Sequence, residues 1–304
     1  MSAIVFGGTG FLGRAVVTAL AGNGWRIRVA ARHPDTHASP HASESCAVDV
    51  RDEDAVAAAL EGMDVVVNTV SLYVERDGLD FDAIHVRGAE RVARLAAASG
   101  ATRLVHVSGI GVDRASASRY VRARADGELA VRAVFPGATV VRPSVIFGPH
   151  DHFLSTLDTV TRLPIIPLFA DGGMRLQPVH VDDVAQAIAA SLFDPAAAAT
   201  VFELGGAEIL RYRDILHAVL RHRGRRRLLL PVPFAIWRII ARVGALLPDP
   251  PVTMDQLELL AMDNGVGDAP GFADLGITPR GLTAALPACL GATGAAPGSG
   301  TAER

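Results

Sequence analysis

The sequence predicts an α/β fold, a doubly wound parallel sheet that carries a smaller C-terminal lobe. An apolar segment, Ile4-Val5-Phe6, runs directly into a glycine-spaced turn, after which Ala15, Val16, Ala19 and Leu20 follow at helical spacing. Strand-like and helix-like segments then alternate through the first 150 residues, the rhythm of βαβ units. Beyond Phe147-Gly148-Pro149 that rhythm gives way to short apolar runs, prolines and longer connections.

The turn Gly7-Gly8-Thr9-Gly10-Phe11-Leu12-Gly13 has a mechanical reading. Gly7 permits a tight bend, Gly10 lets the backbone approach a pyrophosphate, and Gly13 lets the helix pack closely on the strand. Free N–H groups and the positive end of the helix dipole then face the phosphates. Trp25–Ala31 reads as the second strand, Ala47–Val50 as the third, Asp64–Thr69 as the fourth, Arg103–Ser108 as the fifth and Ala138–Arg142 as the sixth. Helical stretches at Asp52–Leu60, Phe81–Ala98 and Tyr120–Val134 connect them. Residues 1–150 are therefore read as a Rossmann-like NAD(P)-binding domain. Residues 151–290 are read as a smaller lobe with returning elements, Val181–Phe193 being a helix back to the main domain and Arg211–Arg221 a helix of the lobe. A lobe at the carboxyl ends of the strands shapes the substrate side. The Gly-, Ala-, Pro- and Ser-rich stretch 291–304 reads as a disordered tail.

Composition narrows the function classes. Half of the 304 residues are hydrophobic, ample for a core, and a net charge of −3 gives no whole-molecule attraction to nucleic acid. Arginine-rich stretches without interleaved aromatics do not make a nucleic-acid surface either. Two cysteines, Cys46 and Cys289, lie far apart, which indicates neither a disulfide framework nor a Cys-rich metal site and suits a reducing, cytoplasmic compartment. No positively charged leader precedes the first strand, and no run of about 18 uncharged apolar residues marks a membrane span. All 29 basic Lys+Arg residues are arginine, so lysine-dependent chemistry such as Schiff-base formation is excluded.

The choice of nucleotide falls to the end of the second strand, where an acidic residue would accept from the ribose hydroxyls of NAD. Here the chain reads Ala30-Ala31-Arg32-His33, with no carboxylate until Asp35. A guanidinium suits a 2′-phosphate, so NADP(H) is favoured over NAD(H); the alternative for Arg32 is a solvated loop residue. Asp49-Val50 stands where the adenine would be capped, and Asn68-Thr69-Val70 where the cofactor edge would be lined; each also reads as an ordinary strand-end turn.

Taken together, Gly7–Gly13, Asp49-Val50, Tyr120 with its basic partner, Arg142-Pro143-Ser144-Val145-Ile146-Phe147-Gly148-Pro149 and Val179-His180-Val181-Asp182-Asp183-Val184 resemble the extended and atypical short-chain dehydrogenase/reductase superfamily. Leu163-Pro164, Pro167-Leu168-Phe169, Phe202-Glu203-Leu204-Gly205-Gly206, Leu229-Leu230-Pro231-Val232-Pro233 and Asp274-Leu275-Gly276-Ile277 are similar to the nucleotide-binding accessory subunit of respiratory complex I and its bacterial relatives. The resemblance extends to about Leu290. It implies cofactor contacts from Gly7, Thr9, Gly10, Phe11, Leu12, Gly13, Arg32, Asp49, Val50, Asn68, Thr69, Val70, Ser108, Tyr120, Arg124, Pro143 and Ser144.

The superfamily reaction uses a tyrosine phenol as acid or base, a lysine four residues later and a Ser or Thr hydroxyl on the substrate oxygen. Tyr120 and Arg124 occupy the first two places and Ser108 ends the fifth strand, while the hydroxyl position two residues further on holds Ile110. The planar guanidinium cannot reproduce an ammonium's contacts with the nicotinamide ribose. These departures imply a mainly structural or sensing cofactor and docking on a membrane-associated respiratory complex I. The alternative is an active NAD(P)H-dependent reductase, epimerase or dehydratase on a hydrophobic, quinone-like or isoprenoid substrate.

The stretch Arg221–Arg242 is a second signal. A dense cluster, Arg221-His222-Arg223-Gly224-Arg225-Arg226-Arg227, precedes a segment in which Arg238 and Arg242 share one helical face while Ile236, Ile239, Ile240 and Val243 lie mostly elsewhere. It reads as amphipathic, either an anionic-membrane contact on the cytoplasmic face or an ordinary lobe helix beside a solvated charge run. His150, Asp151 and His152 read as loop polarity, not metal ligands. At the strand end His180, the helix cap is expected from Asp182 or Asp183.

Overall fold

A computed structural model of the chain describes residues 1–34, 39–75, 78–244 and 254–291. In chain order it contains β1 (Ser2–Phe6), α1 (Phe11–Gly22), β2 (Arg26–Ala31), β3 (Glu44–Ala47), α2 (Glu53–Leu60), β4 (Val65–Asn68), a π-helix (Asp82–Gly88) continuing into α3 (Ala89–Ala98), β5 (Arg103–Val107), α4 (Arg119–Val134) and β6 (Thr139–Pro143). There follow β7 (Ile146–Phe147), α5 (His152–Val160), β8 (Ile165–Phe169), β9 (Arg175–Leu176), β10 (Val179–His180), α6 (Val181–Phe193), β11 (Val201–Leu204), β12 (Leu210–Arg211) and α7 (Tyr212–His222). The last elements are β13 (Leu228–Val232), α8 (Phe234–Gly244), α9 (Met254–Leu260) and α10 (Leu282–Leu290).

Seven parallel strands form the main sheet in the order β11-β6-β5-β4-β1-β2-β3. The order reverses between β1 and β4, the switch point at which a ligand crevice opens beyond the carboxyl ends of the strands. Every residue of β1 and of β4 is buried, as strands covered on both faces require. On one face α1 and α6 supply Val16, Val17, Leu20, Val184 and Ile188; on the other α2, α3 and α4 supply Val56, Leu60, Val92, Ala96 and Val131. A separate core around Leu154, Ile166, Ile215, Leu216 and Leu282 joins α5, β8, α7 and α10.

Three elements differ from the sequence expectation. The third strand is Glu44–Ala47, not Ala47–Val50, because the ladder partner of β2 runs from Arg28↔Glu44 to Ala31↔Ala47. Val48 and Val50 are apolar for a different reason, since both are buried beneath α2 and α3 after the strand ends. Val201–Leu204 adds a seventh strand that the sequence pattern does not reveal, its apolar run being short and interrupted by Glu203. Finally, Phe81–Ala98 is not one uniform helix: its first part is π-helical. The expected tail lies outside the described residues apart from Gly291.

The π-helix and α4 approach each other at Gly127, where a Cβ would lie 2.0 Å from the His85 carbonyl oxygen. Only glycine permits that approach, and it positions the helix that carries Tyr120 and Arg124. Replacing Gly127→Ala is expected to destabilise the protein by about 1–3 kcal/mol through overpacking. Leu129→Ala, on the same helix but 51% exposed, should stay within about 0.5 kcal/mol of the parent in urea unfolding. Equal midpoints for the two variants would contradict the packing argument.

Candidate functional site

The glycine turn closes through backbone alone. Gly7 donates to the Ala30 carbonyl (2.8 Å) at φ +77°, and Gly10 donates back to the Gly7 carbonyl (2.9 Å). A Cβ at Gly13 would lie 2.1 Å from the Gly7 carbonyl oxygen, so α1 seats on the turn only with glycine there. No side chain caps α1 at Gly10, and its first turn holds no acid. The N–H groups of the helix end therefore have no competing side-chain acceptor, which fits an anionic pyrophosphate. Arg14 steadies the turn from the side by donating to the Thr9 carbonyl (3.2 Å), while the Leu12 side chain is buried and the Phe11 ring reaches toward Gly148.

Beyond β2, Arg32 is exposed and has no ion-pair partner among the described residues. Asp49 is already engaged: Arg51 donates to both carboxylate oxygens, from Nε to Oδ1 (3.0 Å) and from Nη2 to Oδ2 (2.7 Å). Those hydrogen bonds hold the Asp49 carboxyl below its usual range against the opposing effect of partial burial, with a smaller contribution from the nearby Arg32 charge. Val50 is buried, and its carbonyl accepts from Arg91 (2.9 Å).

At the end of β4 the Asn68 Oδ1 accepts from the Val70 N–H (3.1 Å), and the Thr69 hydroxyl donates to the Phe6 carbonyl (2.8 Å). These bonds tie the β4 loop to the β1 end at the switch point. Pro143 ends β6 and accepts from the Ile110 N–H (3.1 Å). The Ser144 hydroxyl is occupied elsewhere: it donates to Asn264, at the carbonyl oxygen (2.9 Å) and Oδ1 (2.5 Å).

Tyr120 and Arg124 do come together. Arg124 Nη1 donates to Tyr120 Oη (2.5 Å) and to the Ser71 hydroxyl (3.3 Å), with its guanidinium carbon 5.3 Å from the Tyr120 ring centroid. Both side chains are buried. Burial pushes the phenol up to about 12, and the Arg124 charge only partly offsets it. Around the ring stand Tyr73, stacked at 5.8 Å, and Phe81 and His85, each edge-on at 5.5 Å. The His85 Nε2 bonds the Leu72 carbonyl (2.9 Å), pinning the loop that carries Ser71 and Tyr73. Among the described residues, Ser108 Oγ, His106 Nδ1 and Arg124 Nε are buried without hydrogen-bond partners.

Sequence reasoning missed Ser71, Tyr73, His85 and His106. The first two follow β4, and the rule that loops at carboxyl strand ends face the crevice would have found them. His85 depends on the π-turn and carries no local signal. Helix α4 is itself held by Glu128, buried beneath Arg142, which donates to both of its carboxylate oxygens (2.9 and 2.7 Å) and to Glu203 (3.3 Å).

Two further expectations change. The cap of α6 is His180, whose Nδ1 accepts from the Asp182 N–H (3.2 Å); Asp182 and Asp183 instead bind Arg280. The basic cluster is not one solvated run, since Arg223 and Arg225 both pair with Asp158 (2.8 and 2.9 Å). Asp151 caps α5, accepting from the Leu154 N–H (2.6 Å).

A parallel doubly wound sheet with a capless glycine turn at its switch point defines a dinucleotide-binding protein of the short-chain dehydrogenase/reductase type. The chain belongs to the NAD dependent epimerase/dehydratase family, whose profile matches residues 3–205. It is similar to the mitochondrial NADH dehydrogenase [ubiquinone] 1 alpha subcomplex subunit 9 of Mus musculus, 31% identical over 291 residues that cover 92% of this chain and 77% of that one. A ceramide reductase of Caulobacter vibrioides is 34% identical over 189 residues, covering 61% of this chain and 59% of that one. Among solved structures, the UDP-glucose 4-epimerase of Thermus thermophilus in complex with NAD superposes with a TM-score of 0.62 at 22% identity, over 86% of this chain and 97% of that one, a likeness of fold. Among the described residues no helix is long and apolar enough to cross a membrane.

The buried histidines make stability depend on pH. His85 and His106 are both pushed down to about 3, by burial first and then by the Arg124 charge. Their neutral forms are favoured in the folded state, so the stabilisation is complete above pH 6.5 and is lost as pH falls from there toward 3. At pH 5 each should cost about 2 kcal/mol relative to neutral pH. Urea midpoints measured across this interval should fall steeply in the parent and less steeply in His106→Leu; parallel curves would refute the assignment to His106.

Proposed function

We propose that this chain binds NADP(H) and retains it as a structural or sensing group, docked as a peripheral subunit on a complex I-type respiratory assembly at the cytoplasmic face of the membrane. The observation that carries the reading is the condition of Tyr120. Acid–base work at neutral pH is best served by a group that titrates near neutrality, whereas this phenol is held protonated up to about 12 and its oxygen accepts from Arg124. The serine that would hold a substrate oxygen, Ser108, is sealed from solvent.

The residues fit a dinucleotide. Gly7, Thr9, Gly10, Phe11, Leu12 and Gly13 would take the pyrophosphate, Asn68, Thr69 and Val70 the cofactor edge, and Pro143 and Ser144 the far side of the crevice. When bound, the nicotinamide supplies a hydride donor or acceptor. The preference for NADP(H) rests on Arg32, which is exposed and has no ion-pair partner among the described residues. Docking on a respiratory assembly is supported by the mouse relative, whose name places it in NADH dehydrogenase.

The reductase reading draws on one observation of its own, the contact of Tyr120 Oη with Arg124 Nη1 at the spacing of the superfamily's tyrosine and basic residue. Mass spectrometry of released nucleotide, followed by absorbance near 340 nm with a panel of quinones and carbonyls, separates the two. Retained NADPH that stays reduced is the expected result; oxidation abolished by Tyr120→Phe would overturn it in favour of an enzyme. Arg32→Gln is expected to weaken NADP(H) roughly ten- to a hundredfold while leaving NAD(H) nearly unchanged, as titration of the apoprotein would read.

A further inference from the structure

Away from the nucleotide site, we infer that the ribbon β8–β13 and helix α8 form a lipid-facing surface that seats on an anionic bilayer. A helix of a water-soluble domain ordinarily turns its large apolar side chains inward. Helix α8 does the reverse: its buried residues are Ala241 and Gly244, while Ile236, Ile239 and Val243 are 47, 60 and 64% exposed. With Ile240, also exposed, these side chains fall in one sector, about a third of the helix circumference. Arg238 and Arg242, four residues apart, lie together on its flank.

The ribbon continues the surface. Its parallel register pairs Ile165 with Leu228 and Pro167 with Leu230, so these alternate positions share one face, and Ile165, Leu228 and Leu230 are exposed on it. The opposite face, through Ile166 and Leu168, belongs to the lobe core. Trp237 joins the two parts, packing on Phe169 at 4.5 Å between ring centroids and donating from Nε1 to the Leu168 carbonyl (2.9 Å).

Charge selects the occupant. Neither strand of the ribbon nor α8 contains an acidic residue. Arg226 and Arg227 enter the ribbon at its Leu228 end, exposed and without an ion-pair partner among the described residues, and Arg238 and Arg242 flank the helix at the other end. Arg223 and Arg225, by contrast, are turned inward and paired with Asp158. An apolar strip bracketed by these exposed guanidinium groups, on a chain of net charge −3, matches the interfacial region of a bilayer carrying anionic headgroups. A second copy of the same face would bring like charges together.

The test is flotation of the full chain with vesicles of phosphatidylcholine alone and of phosphatidylcholine mixed with phosphatidylglycerol, at low and high salt. Binding should require the anionic lipid and weaken with salt. Arg226→Gln with Arg227→Gln should reduce it about fivefold per arginine, roughly 25-fold together. Ile239→Asp with Val243→Asp should abolish it, with the melting temperature and nucleotide content of both variants unchanged because the positions are exposed. Failure to float, or equal flotation on phosphatidylcholine alone, would overturn the inference. So would a dimer in light scattering that the Ile239→Asp pair dissociates, or binding only to native membranes that carry a protein partner.

Discussion

The seating of Gly13 on the Gly7 carbonyl is the constraint on which the nucleotide site depends. With no Cβ between them, α1 begins directly at the turn, and the turn hangs from β1 and β2 through the Gly7–Ala30 hydrogen bond. The helix end is thereby aimed into the crevice at the switch point between β1 and β4, with its N–H groups uncapped. The Thr69–Phe6 bond ties the neighbouring loop to the same place. The proposed phosphate site would be made of backbone and would need no lysine, which suits a chain that has none.

On the far side of the crevice, desolvation outweighs charge. Arg124 stands beside the Tyr120 phenol and favours its ionised form, yet burial raises the phenol to about 12. The rings of Tyr73, Phe81 and His85 pack on the Tyr120 ring, and a phenolate buried there would be poorly solvated. The Glu128–Arg142–Glu203 ion cluster clamps α4 against the sheet, so the pair is held in one arrangement. A tightly held nucleotide stabilises the fold by mass action, about 4 kcal/mol at a thousandfold excess over its dissociation constant.

The lobe distributes its arginines between two tasks. Asp158 draws Arg223 and Arg225 inward; burial alone would raise its carboxyl, but these guanidinium groups, with Arg162, hold it below the usual range. Arg226, Arg227, Arg238 and Arg242 border an apolar strip that the lobe core does not cover. This division gives the protein a nucleotide crevice and a separate amphipathic surface.

Much of the architecture is legible in the chain because it is local. The glycine spacing of Gly7–Gly13 encodes its turn, the apolar runs of β1 and β4 encode burial on both faces, and Val181–Phe193 has helix limits that coincide with the sequence reading. The i,i+4 spacing of Tyr120 and Arg124 brings them together on any helix. What the sequence could not decide are properties set by residues distant along the chain. The displacement of β3, the joining of Val201–Leu204 to the sheet and the capture of Ser144 by Asn264 all depend on which partner stands nearest in space. The phenol's titration is of the same kind, since burial by Tyr73, Phe81 and His85 exists only once the π-turn and the β4 loop have packed on α4. Periodicity and backbone freedom are written along the chain, whereas desolvation and pairing are properties of the packed molecule.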